Sequence, residues 1–219
     1  MKKETSEQKR RRAQEIIEIL ARTYPDARVT LDYSTPFELL VAAILAAQCT
    51  DEKVNQVTPD LFRLYPSPEA FAGADEAELQ EAVRATGFFR QKARSIIEVA
   101  QDVLAKHGGR VPDTIEELTA LRGVGRKTAN LILGEVFGKQ AIVVDTHVKR
   151  IAARLGLTEK TDPTKIEFDL MEVVPEENWT DLNHLLVFHG RAICKAPTPL
   201  CDRCPVLELC PYGRGRMGL

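Results

Sequence analysis

The sequence predicts an all-α protein, on three observations. Nearly every segment repeats its apolar residues at the helical period, helix-start signals recur along the chain, and the one strand-like run, Ala141-Ile142-Val143-Val144, is too short to predict a sheet. That run reads instead as a buried extended segment. The 219 residues, 44% of them hydrophobic, suffice for a full core in one large domain or two small ones.

Helical periodicity marks residues 14–24, 37–49, 53–65, 76–86, 91–107, 126–137, 146–155, 165–174 and 182–192. In 91–107 the residues Ile96, Ile97, Val99, Ala100, Val103 and Leu104 form one stripe, and Gly108-Gly109 follows as a stop signal. Thr35-Pro36, Asp60, Ser67-Pro68 and Asp113-Thr114 read as helix starts. A short oxygen-bearing side chain accepts from the first free amides, and proline loses nothing in the first turn. The connections are short, which implies a compact helical bundle without a flexible linker. No internal repeat or low-complexity tract is present.

No apolar run reaches the roughly 18 residues that would suggest a membrane span, and the charged start from Met1 to Arg12 is unlike a secretory signal, so the expected location is the cytoplasm. The formal net charge of -2 excludes a uniformly basic nucleic-acid binder but not a basic face. Acids dominate residues 69–81 and 159–181. Bases dominate 2–12 and recur at Arg90, Lys92, Arg94, Arg122, Arg126, Lys127, Lys149, Arg150 and Arg154. These bases compose either a positive face or ordinary solvated helix surfaces.

Between two helical patterns lies Leu121-Arg122-Gly123-Val124-Gly125-Arg126-Lys127-Thr128-Ala129. Glycines two apart allow a tight turn with positive φ, and the turn ends at a helix N-terminus. There the free amides and the positive dipole end favour a phosphate. Such a corner also occurs for packing alone. Lys127 by itself reads as a phosphate contact or as an activated amine, since the dipole, the neighbouring Arg126 and burial would all disfavour its charged form. Asp145 by itself reads as the N-cap of the helix that follows.

Four of the five cysteines are spaced Cys194-x6-Cys201-x2-Cys204-x5-Cys210, with Pro197, Pro199, Pro205 and Pro211 breaking helices around them. Such crowding suits a metal better than disulfides in an intracellular chain, and four soft ligands suit zinc or an iron–sulfur cluster. A structural zinc site usually has two short Cys pairs and only one is present, so the wider spacings favour the cluster. Cys49 stands outside the pattern and reads as a small buried residue.

The hairpin, together with Phe37-Glu38-Leu39-Leu40, Ala47-Gln48-x-Thr50-Asp51, Val144-Asp145-Thr146-His147, His189-Gly190-Arg191 and the terminal cysteines, resembles the endonuclease III family. The resemblance runs from about Ala13 to Cys210. It implies the helix-hairpin-helix DNA glycosylase fold: a six-helix barrel domain over residues 29–139, and a discontinuous iron–sulfur domain from 1–28 and 140–219, with DNA lying across the cleft between them. It also implies a bifunctional glycosylase and abasic-site lyase of base-excision repair that takes double-stranded DNA containing damaged pyrimidines or abasic sites.

By resemblance, Lys127 is the Schiff-base lysine and Asp145 the catalytic carboxylate. The implied sequence is nucleotide extrusion, amine attack at C1′, loss of the base, a Schiff base, β-elimination 3′ to the site, and hydrolysis. Gly123, Gly125 and Arg126 would meet the DNA backbone, and Arg122, which departs from the family, would gain a phosphate contact of its own. Gln48 would bond the orphaned partner base and Phe88 would wedge into the stack, although Gln48 also reads as a polar helix end, and Phe88 or Phe89 as core. His147 would meet a phosphate or support Asp145, and His189 reads as structural. Cys194, Cys201, Cys204 and Cys210 would ligate a 4Fe-4S cluster that shapes a DNA-facing loop. A monomer is expected.

Two departures from the family stand out. The loop 195–200 holds a single base, Lys195, where relatives are often more basic, and Arg122 stands where the family commonly has proline. Two other readings remain. An adenine or mismatch glycosylase of the same fold is disfavoured by Lys127 and by the chain ending at Leu219, without a further recognition domain. A noncatalytic helix-hairpin-helix module with structural zinc would form no covalent adduct with DNA.

Overall fold

The computed structural model describes residues 4–219. Lys2 and Lys3, which open the expected basic run, lie outside the described residues. Among these there is no strand. In chain order the helices are α1 (Ser6–Thr23), α2 (Pro36–Leu45), α3 (Asp51–Leu64), α4 (Pro68–Ala72), α5 (Glu76–Ala82), α6 (Phe89–His107), α7 (Ile115–Ala120), α8 (Arg126–Phe137), α9 (Thr146–Arg154), α10 (Pro163–Val173), α11 (Trp179–Ala192) and α12 (Pro211–Met217), with single 3-10 turns between some of them. Among the described residues, no helix is long and apolar enough to cross a membrane.

The chain divides into two compact units, one formed by Met1–Val29 with Gln140–Leu219 and the other by Thr30–Lys139. In the Thr30–Lys139 unit α2 is buried along almost its whole length, from Phe37 to Leu45, and packs on α3, α6 and α8. The stripe of α6 buries Ile96, Val99, Ala100 and Val103 against α4 and α5. The second unit packs α1 on α10 and α11, and α9 on α11, around Leu20, Ile151, Leu170 and Leu186. Asn183 on α11 ties down the 141–144 segment: its Nδ2 donates to Ala141 O at 3.0 Å, and its Oδ1 accepts from Val143 N at 2.9 Å. The segment thus satisfies its backbone from a side chain rather than a sheet.

The helix starts at Thr35, Ser67 and Thr114 each cap as read, the side-chain oxygen accepting from the amide three residues on. Asp60 does not; it lies inside α3, which runs through Pro59, while Thr50 caps that helix. The first helix begins well before residue 14, because Thr5 and Gln8 form a capping box that carries the charged segment into α1. The helix expected over 37–49 ends at Leu45, since Gln48 takes a left-handed backbone and Cys49 N bonds Ala46 O. Cys49 is consequently part-exposed rather than buried.

Candidate active site and cysteine loop

In the Thr30–Lys139 unit, α7 and α8 are joined by the glycine turn, with Val124 N bonded to Leu121 O at 3.2 Å. Val124 is buried and anchors the corner. Gly123 has φ +76, and a Cβ there would stand 3.0 Å from Ser95 Cβ, so both conformation and space demand glycine. Gly125, the N-cap of α8, is extended, and a Cβ on it would meet no atom within 4 Å.

Lys127 sits in the first turn of α8 and is exposed, which corrects the expectation that burial helps to neutralise it. Arg122 Nε lies 3.0 Å from Glu98 Oε2; the arginine is exposed, whereas Glu98 is half-buried and this oxygen is shielded from solvent. Arg126 is half-buried beside them. Asp145 belongs to the other unit, where its Oδ1 accepts from Val148 N at 2.8 Å and caps α9. Two residues on, His147 Nδ1 lies 3.1 Å from Arg150 Nη2. Gly190 on α11 makes room for this pair, because a Cβ there would collide with His147 and Arg150.

Gln48 and Phe88 are the two non-glycine residues with positive φ among the described residues, at 54° and 48°. Both side chains are exposed, Phe88 at 60%. Phe88 is therefore not core. Phe89 is the half-buried one, with the guanidiniums of Arg84 and Arg90 about its ring at 4.8 and 5.0 Å.

Three of the bases read as a positive face turn inward instead. Lys92 is 4% exposed, and burial pushes its ammonium below the ordinary lysine range. Its position on the stripe with Ile96, Val99 and Val103 was the signal for this. Arg154 donates to Lys195 O and Ala196 O, both at 2.7 Å, and to Cys194 Sγ at 3.3 Å. Arg150 donates to Cys194 O at 3.1 Å. Arg12, in the N-terminal basic run, similarly bonds Leu155 O and Leu209 O, at 2.6 and 3.0 Å.

Cys194, Cys201, Cys204 and Cys210 line one small apolar cavity together with Arg154 and His189. Among the described residues, no three His, Cys, Asp or Glu side chains converge closely enough to hold a single metal ion. A zinc ion would require that, with each sulfur about 2.3 Å from it. Burial pushes Cys204 up to about 11 and raises Cys210, and the neighbouring cysteines add like-charge repulsion. Four thiolates gathered here would need a cationic group among them, and four soft sulfur donors fit a metal centre. Gly213 N already donates to Cys210 Sγ at 3.2 Å. His189 is buried, which lowers its pKa to about 4; its Nδ1 meets Tyr24 Oη at 3.0 Å and its Nε2 lies 3.7 Å from Cys204 Sγ.

The family model for the HhH-GPD superfamily base excision DNA repair protein matches residues 41–176. Endonuclease III of Synechocystis is 50% identical over 204 residues, 93% of either chain, and that of Bacillus subtilis is 44% identical over 194 residues, 88% of this chain and 89% of that one. The chain belongs to the endonuclease III family. It is a DNA glycosylase and abasic-site lyase of base-excision repair. A solved endonuclease III–DNA trapped covalent intermediate, the estranged-adenine complex, superposes with a TM-score of 0.90 at 41% identity over 95% of this chain and 98% of that one. A thermostable thymine-DNA glycosylase shares the fold at 23% identity, with a TM-score of 0.84 over 94% of this chain and 98% of that one.

Proposed function

We propose that the chain acts as a monomer at the nucleoid, excising oxidised pyrimidines from double-stranded DNA through Lys127 and then cutting 3′ to the abasic site by β-elimination. The observation that carries this reading is the exposed amine of Lys127 in the first turn of α8, two residues after an open Gly125, in a chain 41% identical to a protein trapped covalently on DNA. The hairpin residues Arg122, Gly123, Gly125 and Arg126 hold the phosphodiester against the first amides of α8, where the dipole favours an anion. Arg122, itself exposed, exchanges its half-buried Glu98 partner for phosphate on binding.

Lys127 Nζ attacks C1′, the C1′–N bond breaks, and the base leaves with its electron pair. The departing base takes up a proton, the attacking amine passes its own proton to the ring oxygen as the sugar opens to a Schiff base, loss of a C2′ proton expels the 3′ phosphate, and water hydrolyses the imine to free Lys127. Asp145 caps α9 with Oδ1 and stabilises positive charge on the sugar with Oδ2. Gln48 and Phe88 fill the gap left by the extruded nucleotide, one bonding the orphaned base and the other entering the stack; their exposure on left-handed turns supports those roles. His147, held against Arg150, supports the start of α9 below Asp145.

Cys194, Cys201, Cys204 and Cys210 hold a 4Fe-4S cluster. It supplies a rigid cationic centre about which the loop is ordered. Arg150 and Arg154 fix the first carbonyls of that loop, and with Lys195 its only base, the loop adds little to phosphate binding.

Borohydride trapping on duplex DNA with an abasic site or thymine glycol tests the assignment. Wild type is expected to form a covalent adduct. Lys127→Ala is expected to form none and to lose excision while still binding the duplex. An adduct and ordinary lyase turnover from Lys127→Ala would overturn it.

A further inference from the structure

Left-handed backbone is unfavourable for residues with a Cβ, and a structure retains it only where the surroundings impose it. Gln48 and Phe88 are 40 positions apart, yet both stand in that region and both present exposed side chains. One group touches the backbone leading into both turns. Lys92 Nζ donates to Leu45 O at 2.8 Å and to Thr86 O at 2.6 Å. Leu45 is the last residue of α2, three before Gln48, and Thr86 ends the 3-10 turn Arg84–Thr86, two before Phe88. The backbone of Lys92 closes the arrangement, since its amide donates to Phe88 O at 3.1 Å.

The choice of a lysine here is physically costly. An ammonium taken out of water is normally repaid by a carboxylate, whereas both acceptors of Lys92 are carbonyls. Carbonyls at the end of a helix lack intrahelical donors and lie at the negative end of its dipole, so they can hold a cation. An arrangement serving only stability would need neither this cation nor an exposed, strained phenylalanine.

We infer that Lys92 is a positioning residue for base extrusion: its ammonium clamps the α2 end to the Arg84–Thr86 turn, so that Gln48 and Phe88 enter the duplex as one rigid pair. This rests on the gap-filling roles given to Gln48 and Phe88 above. Lys92 touches no DNA itself. Its removal frees each turn to relax separately, which misplaces both side chains by the small distances that matter in a preorganised site.

The test compares two substrates: excision of thymine glycol from duplex DNA, and borohydride trapping on a single-stranded abasic oligonucleotide, which has no stack to fill. Lys92→Met is expected to slow duplex excision about 100-fold while leaving single-strand trapping unchanged. In a Gln48→Ala/Phe88→Ala background it is expected to add almost nothing further. Equal loss on both substrates, no loss on the duplex, or full additivity with the double substitution would overturn the proposal. If Gln48→Ala/Phe88→Ala itself leaves duplex excision intact, the gap-filling roles fail, an outcome read without Lys92→Met. Lys92→Gln, which keeps a donor on a shorter stem, is measured on the same substrates in case the methionine variant does not fold; it is expected to show the same selectivity with a smaller loss.

Discussion

The turns bearing Gln48 and Phe88 and the loop that begins at Cys194 are both held by a basic side chain bonded to main-chain oxygens, Lys92 in one and Arg154 in the other. The two are built differently. Lys92 is enclosed and joins two short turns through one carbonyl from each, so a compact ammonium with two acceptors suffices. Arg154 is half-buried, stacks over Tyr212 at 5.0 Å, and spreads its guanidinium across Cys194, Lys195 and Ala196. A planar fork with five donors matches successive carbonyls that an ammonium could not reach together. The difference teaches that turns to be kept in register need one point of contact, whereas a loop that must meet four ligands to one group needs its whole entrance fixed.

Removing the fork is the largest way to break this comparison. Arg154→Met keeps apolar bulk over Tyr212 but leaves the carbonyls of residues 194–196 to water. Since those of Lys195 and Ala196 are exposed, the loss is moderated, and a destabilisation of about 3 kcal/mol is expected from several charge-assisted bonds. For a chain of this length that lowers the melting temperature by roughly 10 °C. The visible absorbance of the purified protein should also bleach faster in air than that of wild type. Unchanged melting and bleaching would mean that the cysteines order the loop unaided.

The hairpin gives a sharper contrast at smaller cost, because its two glycines answer different needs. Gly123→Ala places a Cβ at φ +76 against Ser95, and about 2 kcal/mol of stability is expected to be lost. Gly125→Ala meets open space in an extended backbone and should change stability by less than about 0.5 kcal/mol. Its cost should appear in DNA binding instead, where the added methyl stands in the path of the phosphate. Chemical denaturation and duplex titration of both variants check this. Loss of stability in Gly125→Ala, or intact stability in Gly123→Ala, would show that the glycines were assigned the wrong way round.

That contrast also marks what the sequence reveals and what it withholds. Gly-Val-Gly before Lys127 signals a tight turn, but not which glycine is needed for its conformation and which for approach; that distinction lies in Ser95, 28 positions earlier. Caps at Thr35, Ser67 and Thr114 are legible because they are local: the side chain and the amide it serves are three residues apart. The all-α class and most helix bodies are legible for the same reason, through periodicity. Bases are less so. Lys92 and Arg154 carry the same charge in the sequence as Lys149, yet they turn toward carbonyls donated by distant segments. Lys92 did leave a trace, on the apolar stripe of α6. Arg154 left none, and neither did Gly190, whose need arises from His147 on another helix.

Arg122 provides the finest test, because its partner is a single side chain, Glu98, rather than main-chain carbonyls. Its pair with Glu98 joins side chains that are 64% and 35% exposed, so solvent screens the arginine end and Arg122→Gln should cost no more than about 1 kcal/mol in stability. Proline at this place would rigidify the turn, whereas arginine offers a charge. If that charge meets phosphate, the slope of log binding constant against log salt should fall by about one in Arg122→Gln, with affinity weakened alike for damaged and undamaged duplexes. The charge of Glu98 then opposes binding in the free protein, so Glu98→Gln should tighten binding while leaving the slope near that of wild type. An unchanged slope in Arg122→Gln, with weaker folding instead, would make the pair a structural brace of α6 against the hairpin and remove Arg122 from the DNA-binding residues.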